Sequence, residues 1–156
     1  MSYFLLCKGW DVSDHLGDGY DLIAEKTGKF IKIELKAVDL TNIKAGNNAT
    51  QKLSANEISA ATHLVITIFQ GIEAKCNFIM TIKQFVESSG VKKYEYYGDF
   101  GEFIAEYRKL SEEKSKRVKN ATADSNRLDF DFSFNPESIE QWKFAIFKEK
   151  WGNLDL

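Results

Sequence analysis

The segment YDLIAEKTGKFIKIELKAV, residues 20–38, constrains the fold more than any other part of the chain. It contains two β-rich stretches separated by the short turn KTGK, which predicts a β-hairpin. Side chains alternate between the two faces of a strand, so Lys32, Glu34 and Lys36 share one face while apolar residues take the other. The apolar face requires a core, and the polar face has to meet solvent or a cleft.

An aspartate of the first strand is expected to lie near this polar face. The hairpin brings Asp21 alongside Glu34, or one register step away from it. Two carboxylates in close approach repel each other unless a cation lies between them, and Mg²⁺ takes a few carboxylate oxygens together with several waters. Lys36 could position a metal-bound water, help to deprotonate it, or stabilise charge on a phosphate, and the carbonyl of Leu35 is a further candidate ligand. The polar face is therefore either a solvated surface or a metal-dependent site for phosphodiester hydrolysis.

The remaining segments before residue 90 predict a mixed α/β domain with a central sheet. WDV, the apolar run LVITIF and CNFIMTI predict strands, KQFVESS predicts a short helix, and residues 2–8 fit either a helix or a strand. Residues 39–52 are polar and predict a mobile loop. In LSANEISAATH, Ser54 and Glu57 have capping-box spacing, so we expect a helix in which Glu57 acts as a cap rather than as a ligand.

The last third of the chain predicts further helix and strand. GEFIAEYRKLSEEKSKRVKN is typical of a helix, and RLDFDFSFN alternates strictly, as a half-buried strand does. Asn135 as N-cap and Pro136 at the first position predict a final helix. Four apolar residues cover much of its circumference and indicate a surface for a homodimer or another partner. They are Trp142, Phe144, Ile146 and Phe147.

Composition limits the functions open to this chain. Its 156 residues suffice for one domain with a full core. Its net charge of −2 means that any contact with nucleic acid has to come from a local basic patch, a dimer or a partner. The densest basic run favours a solvated helix end over a phosphate contact; its candidate nucleic-acid-binding residues are Lys114, Lys116, Arg117 and Lys119.

The distribution of cysteines and apolar residues predicts a cytoplasmic protein. Cys7 and Cys76 are isolated, which favours reduced thiols over a disulfide, and no Cys or His spacing suggests zinc. No apolar run approaches the length of a membrane span, and the first residues do not have the pattern of a signal peptide. We therefore expect no membrane contact.

Asp21, twelve intervening residues and then Glu34-Leu35-Lys36 resemble the motif of the PD-(D/E)xK nuclease superfamily of restriction-endonuclease-like folds. The context GYD…IELK, followed by LSANE before a helix and an apolar strand, is similar to one branch of that superfamily. Members of the branch carry GYD…IEVK…LTxNE and are often attached to restriction or helicase systems. The resemblance covers roughly residues 9–85.

This resemblance implies a restriction-endonuclease-like fold, a mixed central sheet flanked by helices, to which the chain adds an α+β C-terminal extension. We expect a nuclease-like core over residues 1–90 and an extension over residues 91–156 that packs on it, as a single domain overall. The family often has a glutamine or lysine after the ExK triplet, a place that Gln51 or Lys52 could take.

The resemblance also implies a site. It makes Asp21 and Glu34 metal ligands, with the carbonyl of Leu35 beside them, and makes Lys36 the catalytic lysine. It implies Mg²⁺ as the cofactor, with Mn²⁺ as a substitute, no organic cofactor, and DNA as the substrate. The predicted function is a Mg²⁺-dependent DNA endonuclease in a prokaryotic restriction, defence or DNA-repair setting. The alternative is a catalytically inactive nuclease-like fold that binds nucleic acid or protein, and a weaker third hypothesis is an acidic DNA-mimicking inhibitor.

Overall fold

The computed structural model describes residues 2–15, 19–89, 99–117 and 130–155, without the side chains of 2–4, 110–117, 131 and 155. The strands in these ranges are β1 (Asp11–Asp14), β2 (Leu22–Lys26), β3 (Lys29–Asp39), β4 (Ala49–Leu53), β5 (His63–Gln70), β6 (Glu73–Thr81) and β7 (Phe130–Phe134). The α-helices are α1 (Ser2–Cys7), α2 (Ala55–Ala60), α3 (Ile82–Ser89) and α4 (Phe100–Arg117). Three 3₁₀ segments follow, over Pro136–Gln141, Ala145–Phe147 and Trp151–Asp155. None of the helices in these ranges combines the length and apolarity that crossing a membrane requires.

Five strands form the central sheet, in the order β1-β2-β3-β5-β6. β3 and β5 run parallel, and the other neighbours are antiparallel. The turn between β2 and β3 consists of Thr27 and Gly28, whose φ angles of 52° and 79° are both positive, as a two-residue type I′ hairpin turn requires. The predicted fold class, a mixed α/β fold with a central mixed sheet flanked by helices, is confirmed.

Both faces of the sheet are covered, which explains the continuous apolar run of β5. On one face, Ile66 of β5 and Phe78 of β6 belong to a core shared with α2, α3, α4 and the last residues of the chain. On the other face, Ile33 packs in a smaller cluster with Leu5 of α1 and Trp10. Residues 2–8, whose sequence fitted either a helix or a strand, contain the helix α1, and Leu5 is its buried residue in this cluster.

The prediction of a loop over residues 39–52 is wrong at its end. Ala49–Leu53 forms β4, which pairs antiparallel with Phe130–Phe134, the strand β7, in a separate two-stranded sheet. Ala49 and Leu53 are buried, and alternate residues of β7 are buried as well. The partner of β4 lies some eighty positions later in the sequence, so local composition gave no sign of it.

The prediction of a final helix is also wrong, although its first residues behave as predicted. Asn135 caps the segment, because its Oδ1 accepts the N–H of Glu137 at 2.9 Å, but the turn that follows is 3₁₀ and breaks at Ser138. Trp142, Phe144 and Phe147 are buried in this chain's own core, while Ile146 is 67% exposed. The chain turns sharply because these rings have to reach one core. Three of the four apolar residues that indicated a partner surface are therefore buried inside this chain.

Candidate active site

Asp21 lies immediately before β2, at the end of the ladder with β3. Leu22 is the first paired residue of β2 and lies opposite Ile33. The N–H of Asp21 donates to the carbonyl of Ile33 at 2.9 Å, and its Oδ2 accepts the N–H of Leu35 at 2.7 Å. The side chain of Asp21 thus accepts the Leu35 N–H of β3, which lies just beyond the paired residues of β2. The predicted proximity of Asp21 to Glu34 is confirmed.

Glu34, Lys36 and Glu57 form an ion-pair cluster on one face of β3. The Nζ atom of Lys36 lies 2.8 Å from Oε1 of Glu34 and 2.7 Å from Oε1 of Glu57. Glu34 and Lys36 meet because residues two apart in a strand share a face. Glu57 reaches the cluster from α2, and Glu34 is only 4% exposed.

Glu57 has two roles in the structure. The N–H of Ser54 donates to Oε2 of Glu57 at 2.6 Å, and the N–H of Glu57 donates to Oγ of Ser54 at 3.3 Å. The predicted capping box is confirmed. The same carboxylate, through its other oxygen, contacts Lys36. Sequence reasoning missed this second role because capping is a local signal, whereas the contact with Lys36 depends on how α2 packs over β3.

Gly19 brings the segment GYD close to the helix that carries Glu57. Its φ is +103°, and a Cβ atom at this position would lie 2.6 Å from Cβ of Ala60 and 3.1 Å from the carbonyl oxygen of Asn56. No residue with a side chain fits this conformation and this space. The glycine therefore holds Asp21 and Glu57 in a fixed relation across the site.

Burial and charge shift the pKa values of this cluster in opposite directions. Burial raises the pKa of Glu34 to about 7; the hydrogen bond from Lys36 lowers it, and the charges of Glu57 and Asp21 raise it. Burial would lower the pKa of Lys36, but its hydrogen bonds to Glu34 and Glu57 raise it above its ordinary value. Burial would raise the pKa of Glu57, but hydrogen bonds from Lys36 and the Ser54 backbone lower it. At neutral pH, Lys36 and Glu57 are therefore charged, and Glu34 is near the midpoint of its titration.

The oxygens of Asp21, Glu34 and Leu35 match the ligand preferences of a hard divalent cation. Within a strand, the N–H and C=O of one residue point to the same neighbour. Leu35, whose N–H bonds to Asp21, therefore directs its carbonyl toward the end of β2. A cation there would offset the repulsion from the neighbouring carboxylates, which adds to the effect of burial in raising the pKa of Glu34. Within the described residues, no group of three or more His, Cys, Asp or Glu side chains is arranged to hold a metal ion, and Lys36 supplies the positive charge between Glu34 and Glu57.

The chain is similar to a bacterial homing endonuclease. The TM-score is 0.49 and the sequence identity 12%, over 98% of this chain and 84% of that one. No protein-family model matches the chain, and a search of curated proteins finds no significant match. The candidate site therefore depends on its own geometry.

The other sequence-predicted residues lie on β4, on α4 or outside the described residues. Gln51 of β4 donates from Nε2 to the carbonyl of Ala37 at 3.3 Å, one residue beyond Lys36 on β3, and Lys52 is exposed on the alternate face of β4. Of the basic run, the structure gives only the helical backbone of Lys114, Lys116 and Arg117, and Lys119 lies outside the described residues. Their predicted contact with nucleic acid stays a prediction.

Proposed function

We propose that this chain is a metal-dependent DNA endonuclease that hydrolyses phosphodiester bonds, with Mg²⁺ as cofactor and Mn²⁺ as a substitute. The observation that carries the proposal is that Asp21 lies beside Glu34 and Lys36 at the end of β2. The Asp21 side chain accepts the N–H of Leu35 at 2.7 Å, and Nζ of Lys36 lies 2.8 Å from the Glu34 carboxylate. The similarity of GYD…IELK…LSANE to a branch often attached to restriction or helicase systems supports a prokaryotic restriction, defence or DNA-repair setting.

In this proposal, Asp21, Glu34 and the carbonyl of Leu35 hold the cation. A bound divalent cation neutralises charge on the phosphate and lowers the pKa of a water molecule in its coordination shell. Glu34 has to be ionised to serve as a ligand, and its pKa of about 7 permits this at neutral and alkaline pH. Asp21 is kept in place by its hydrogen bond to the Leu35 N–H.

Lys36 acts in the proposal as a fixed cationic donor. Its raised pKa keeps the ammonium group protonated, so it can donate to a phosphate oxygen but not accept a proton. Glu57 stays ionised and keeps the Lys36 side chain extended across the face of β3. A positive donor in this position stabilises the negative charge that develops as the phosphodiester is attacked.

Cleavage of plasmid DNA with Mg²⁺ or Mn²⁺ tests the proposal. We expect Asp21→Asn, Glu34→Gln and Lys36→Met each to lower the cleavage rate by at least about 100-fold, the usual size of the loss when one charge-stabilising group is removed. Glu73→Gln is the matched control, because Glu73 is an exposed acid on β6 whose carboxylate pairs with Lys75 of the same strand. Unchanged cleavage by both the Asp21 and the Glu34 variants would contradict the proposal.

The second candidate is a nuclease-like fold that binds nucleic acid or protein without cutting. The contacts of Lys36 with two carboxylates, and the burial of Glu34 beside them, favour it, because both groups are already paired with protein partners. A crystal structure with Mn²⁺ distinguishes the candidates. No ion between Asp21 and Glu34, together with no cleavage of plasmid, single-stranded or branched DNA, would favour the non-cutting module.

A further inference from the structure

A groove of about 460 Å³ lies beside the candidate active site, between the end of α2, the start of α3 and α4. Its floor contains the buried side chains of Ile58, Ala61 and Ile82. Phe100 and Ile104 of α4 form one wall. The groove is thus mainly apolar and large enough for a flat ring of the size of a nucleobase.

The charged residues that line this groove are all basic. They are Lys32, Lys83 and Arg108, and no acidic residue is among the lining residues in the described part of the chain. Arg108 is held at the groove by a hydrogen bond of 2.7 Å from its Nη2 to the carbonyl of Ser59. A chain with a net charge of −2 therefore has a locally positive groove, which suits an anionic ligand.

The groove and the candidate site lie along the same face of β3. Phe30, Lys32, Glu34 and Lys36 share one face of this strand, and each step of two residues spans about 6.7 Å. That step is comparable to the length of one nucleotide in an extended strand. Phe30 lines the groove and is 61% exposed, so its ring is accessible to a ligand in the groove.

We infer that this groove binds an unpaired nucleotide of the DNA strand whose adjacent phosphate enters the candidate active site. Its base stacks on Phe30 over the apolar floor, and its phosphate is bound by Lys32 and Arg108. Stacking of a base on an aromatic ring, with a cation for the backbone, is how single-stranded nucleic acid is bound without sequence preference. The inference rests on the proposed function, and it makes the substrate a duplex with a single-stranded tail or gap rather than an intact duplex.

Fluorescence anisotropy of the full chain in EDTA tests binding apart from cleavage. The probes are a blunt DNA duplex and the same duplex with a short single-stranded tail at its 5′ or 3′ end. We expect the wild-type chain to prefer one tailed duplex, and Phe30→Ala to weaken binding of that duplex by about 5- to 100-fold while changing blunt-duplex binding less than about twofold. Phe30→Tyr, which keeps the ring, should retain the preference, and Lys32→Gln should reduce both affinity and salt dependence.

Ile72→Ala is the control, because Ile72 is a fully exposed apolar residue at the β5–β6 turn, away from the groove. Phe30 is mostly exposed, so thermal melts should show folded protein for its variants. The inference is overturned if the wild-type chain binds neither probe or does not discriminate between them, if Phe30→Ala weakens both equally, or if Phe30→Tyr is as weak as Phe30→Ala. Tail-dependent binding without cleavage would support nucleotide binding in the groove and contradict the proposed activity. Cleavage without tail dependence would support the activity and contradict nucleotide binding in the groove.

Discussion

Glu34 is a buried carboxylate close to Glu57 and Asp21. The proposed chemistry requires Glu34 to be ionised, whereas ionisation of Glu34 destabilises the fold. Its ordinary pKa is 4.5, and the folded chain raises this pKa to about 7. Between these two values the folded state binds a proton that the unfolded state has released. The free energy of unfolding must therefore fall as the pH rises through this window. The ionised form that a metal ligand requires is the form that the metal-free fold accommodates poorly.

The variant Glu34→Gln should separate stability from activity. The amide cannot ionise, so in EDTA we expect the variant to gain stability over the wild-type chain as the pH rises from about 4.5 to about 7, by up to about 3 kcal/mol. Chemical denaturation at several pH values measures the difference. A difference that stays constant with pH would contradict the raised pKa.

His63 contributes a pH dependence of the opposite sign. Burial lowers its pKa below the ordinary 6.5, and its ring bonds with Thr62 and with the carbonyl of Asn153. This histidine therefore favours the folded state above its unfolded pKa of 6.5, and that contribution is lost as the pH falls from 6.5 through the lower pKa of the folded state. Comparing Glu34→Gln with the wild-type chain cancels this effect, because both chains contain the histidine.

The close packing of the GYD segment on α2 is the element-scale feature on which the site geometry depends. Gly19→Ala places a Cβ 2.6 Å from Ala60 in a backbone conformation with φ of +103°. We expect this variant to lose about 2–4 kcal/mol of unfolding free energy from strain and displacement, and to lose cleavage activity as well because Asp21 moves relative to Glu57. Thermal melts and plasmid cleavage measure the two effects.

Gly46→Ala provides the control for this prediction. Gly46 also has a positive φ, of +79°, but a Cβ there meets nothing within 4 Å. Its replacement should cost about 1 kcal/mol from backbone strain alone and leave cleavage unchanged. Equal losses in the two variants would mean that the contact with α2 does not position the site.

The elements that were predicted correctly are those whose signals are local. Positive-φ turn chemistry at Gly28 defines the hairpin, and the spacing of Ser54 and Glu57 defines the start of α2. The register that brings Asp21 beside Glu34 follows from that turn. Strand β4 was missed because its partner is distant in sequence, and the final helix was over-extended because its apolar pattern reflects burial of single rings rather than one helical face.

The candidate site was predictable only where both partners lie in one hairpin. Strand alternation and hairpin register suffice to bring together Asp21, Glu34 and Lys36. The contact between Lys36 and Glu57 joins β3 to α2, and the basic groove brings Arg108 of α4 close to β3 and α2. No local pattern specifies such contacts, because they arise from the way the helices pack on the sheet.

At the scale of the whole molecule, the last residues of the chain are bound to both the sheet and the helices. Asn153 donates from Nδ2 to the carbonyl of Ile79 at 2.7 Å, and the N–H of Glu149 donates to the carbonyl of Asn77 at 2.8 Å. Phe144 stacks on Phe85 of α3 with ring centroids 5.1 Å apart. These contacts leave Ile146 as the exposed apolar residue of the segment that indicated a partner surface, so a homodimer stays a prediction.

These contacts bear on the prediction that residues 1–90 and 91–156 form a single domain overall. If they do, Phe144→Ala should destabilise the entire chain by about 3–5 kcal/mol, since Phe144 is fully buried. In a Trp10→Phe background, fluorescence comes from Trp142 and Trp151 in the extension, whereas far-UV circular dichroism reports on the helices and strands of both parts of the chain.

We expect the denaturation curves from the two probes to coincide and to move together in Phe144→Ala, because a cooperative unit unfolds all at once. Ile146→Ala, two positions away and 67% exposed, should change the unfolding free energy by no more than about 0.5 kcal/mol. A fluorescence transition that shifts to lower denaturant while part of the dichroism change stays in place would show that the extension unfolds separately. In that case its rings pack on a sheet that is stable without them.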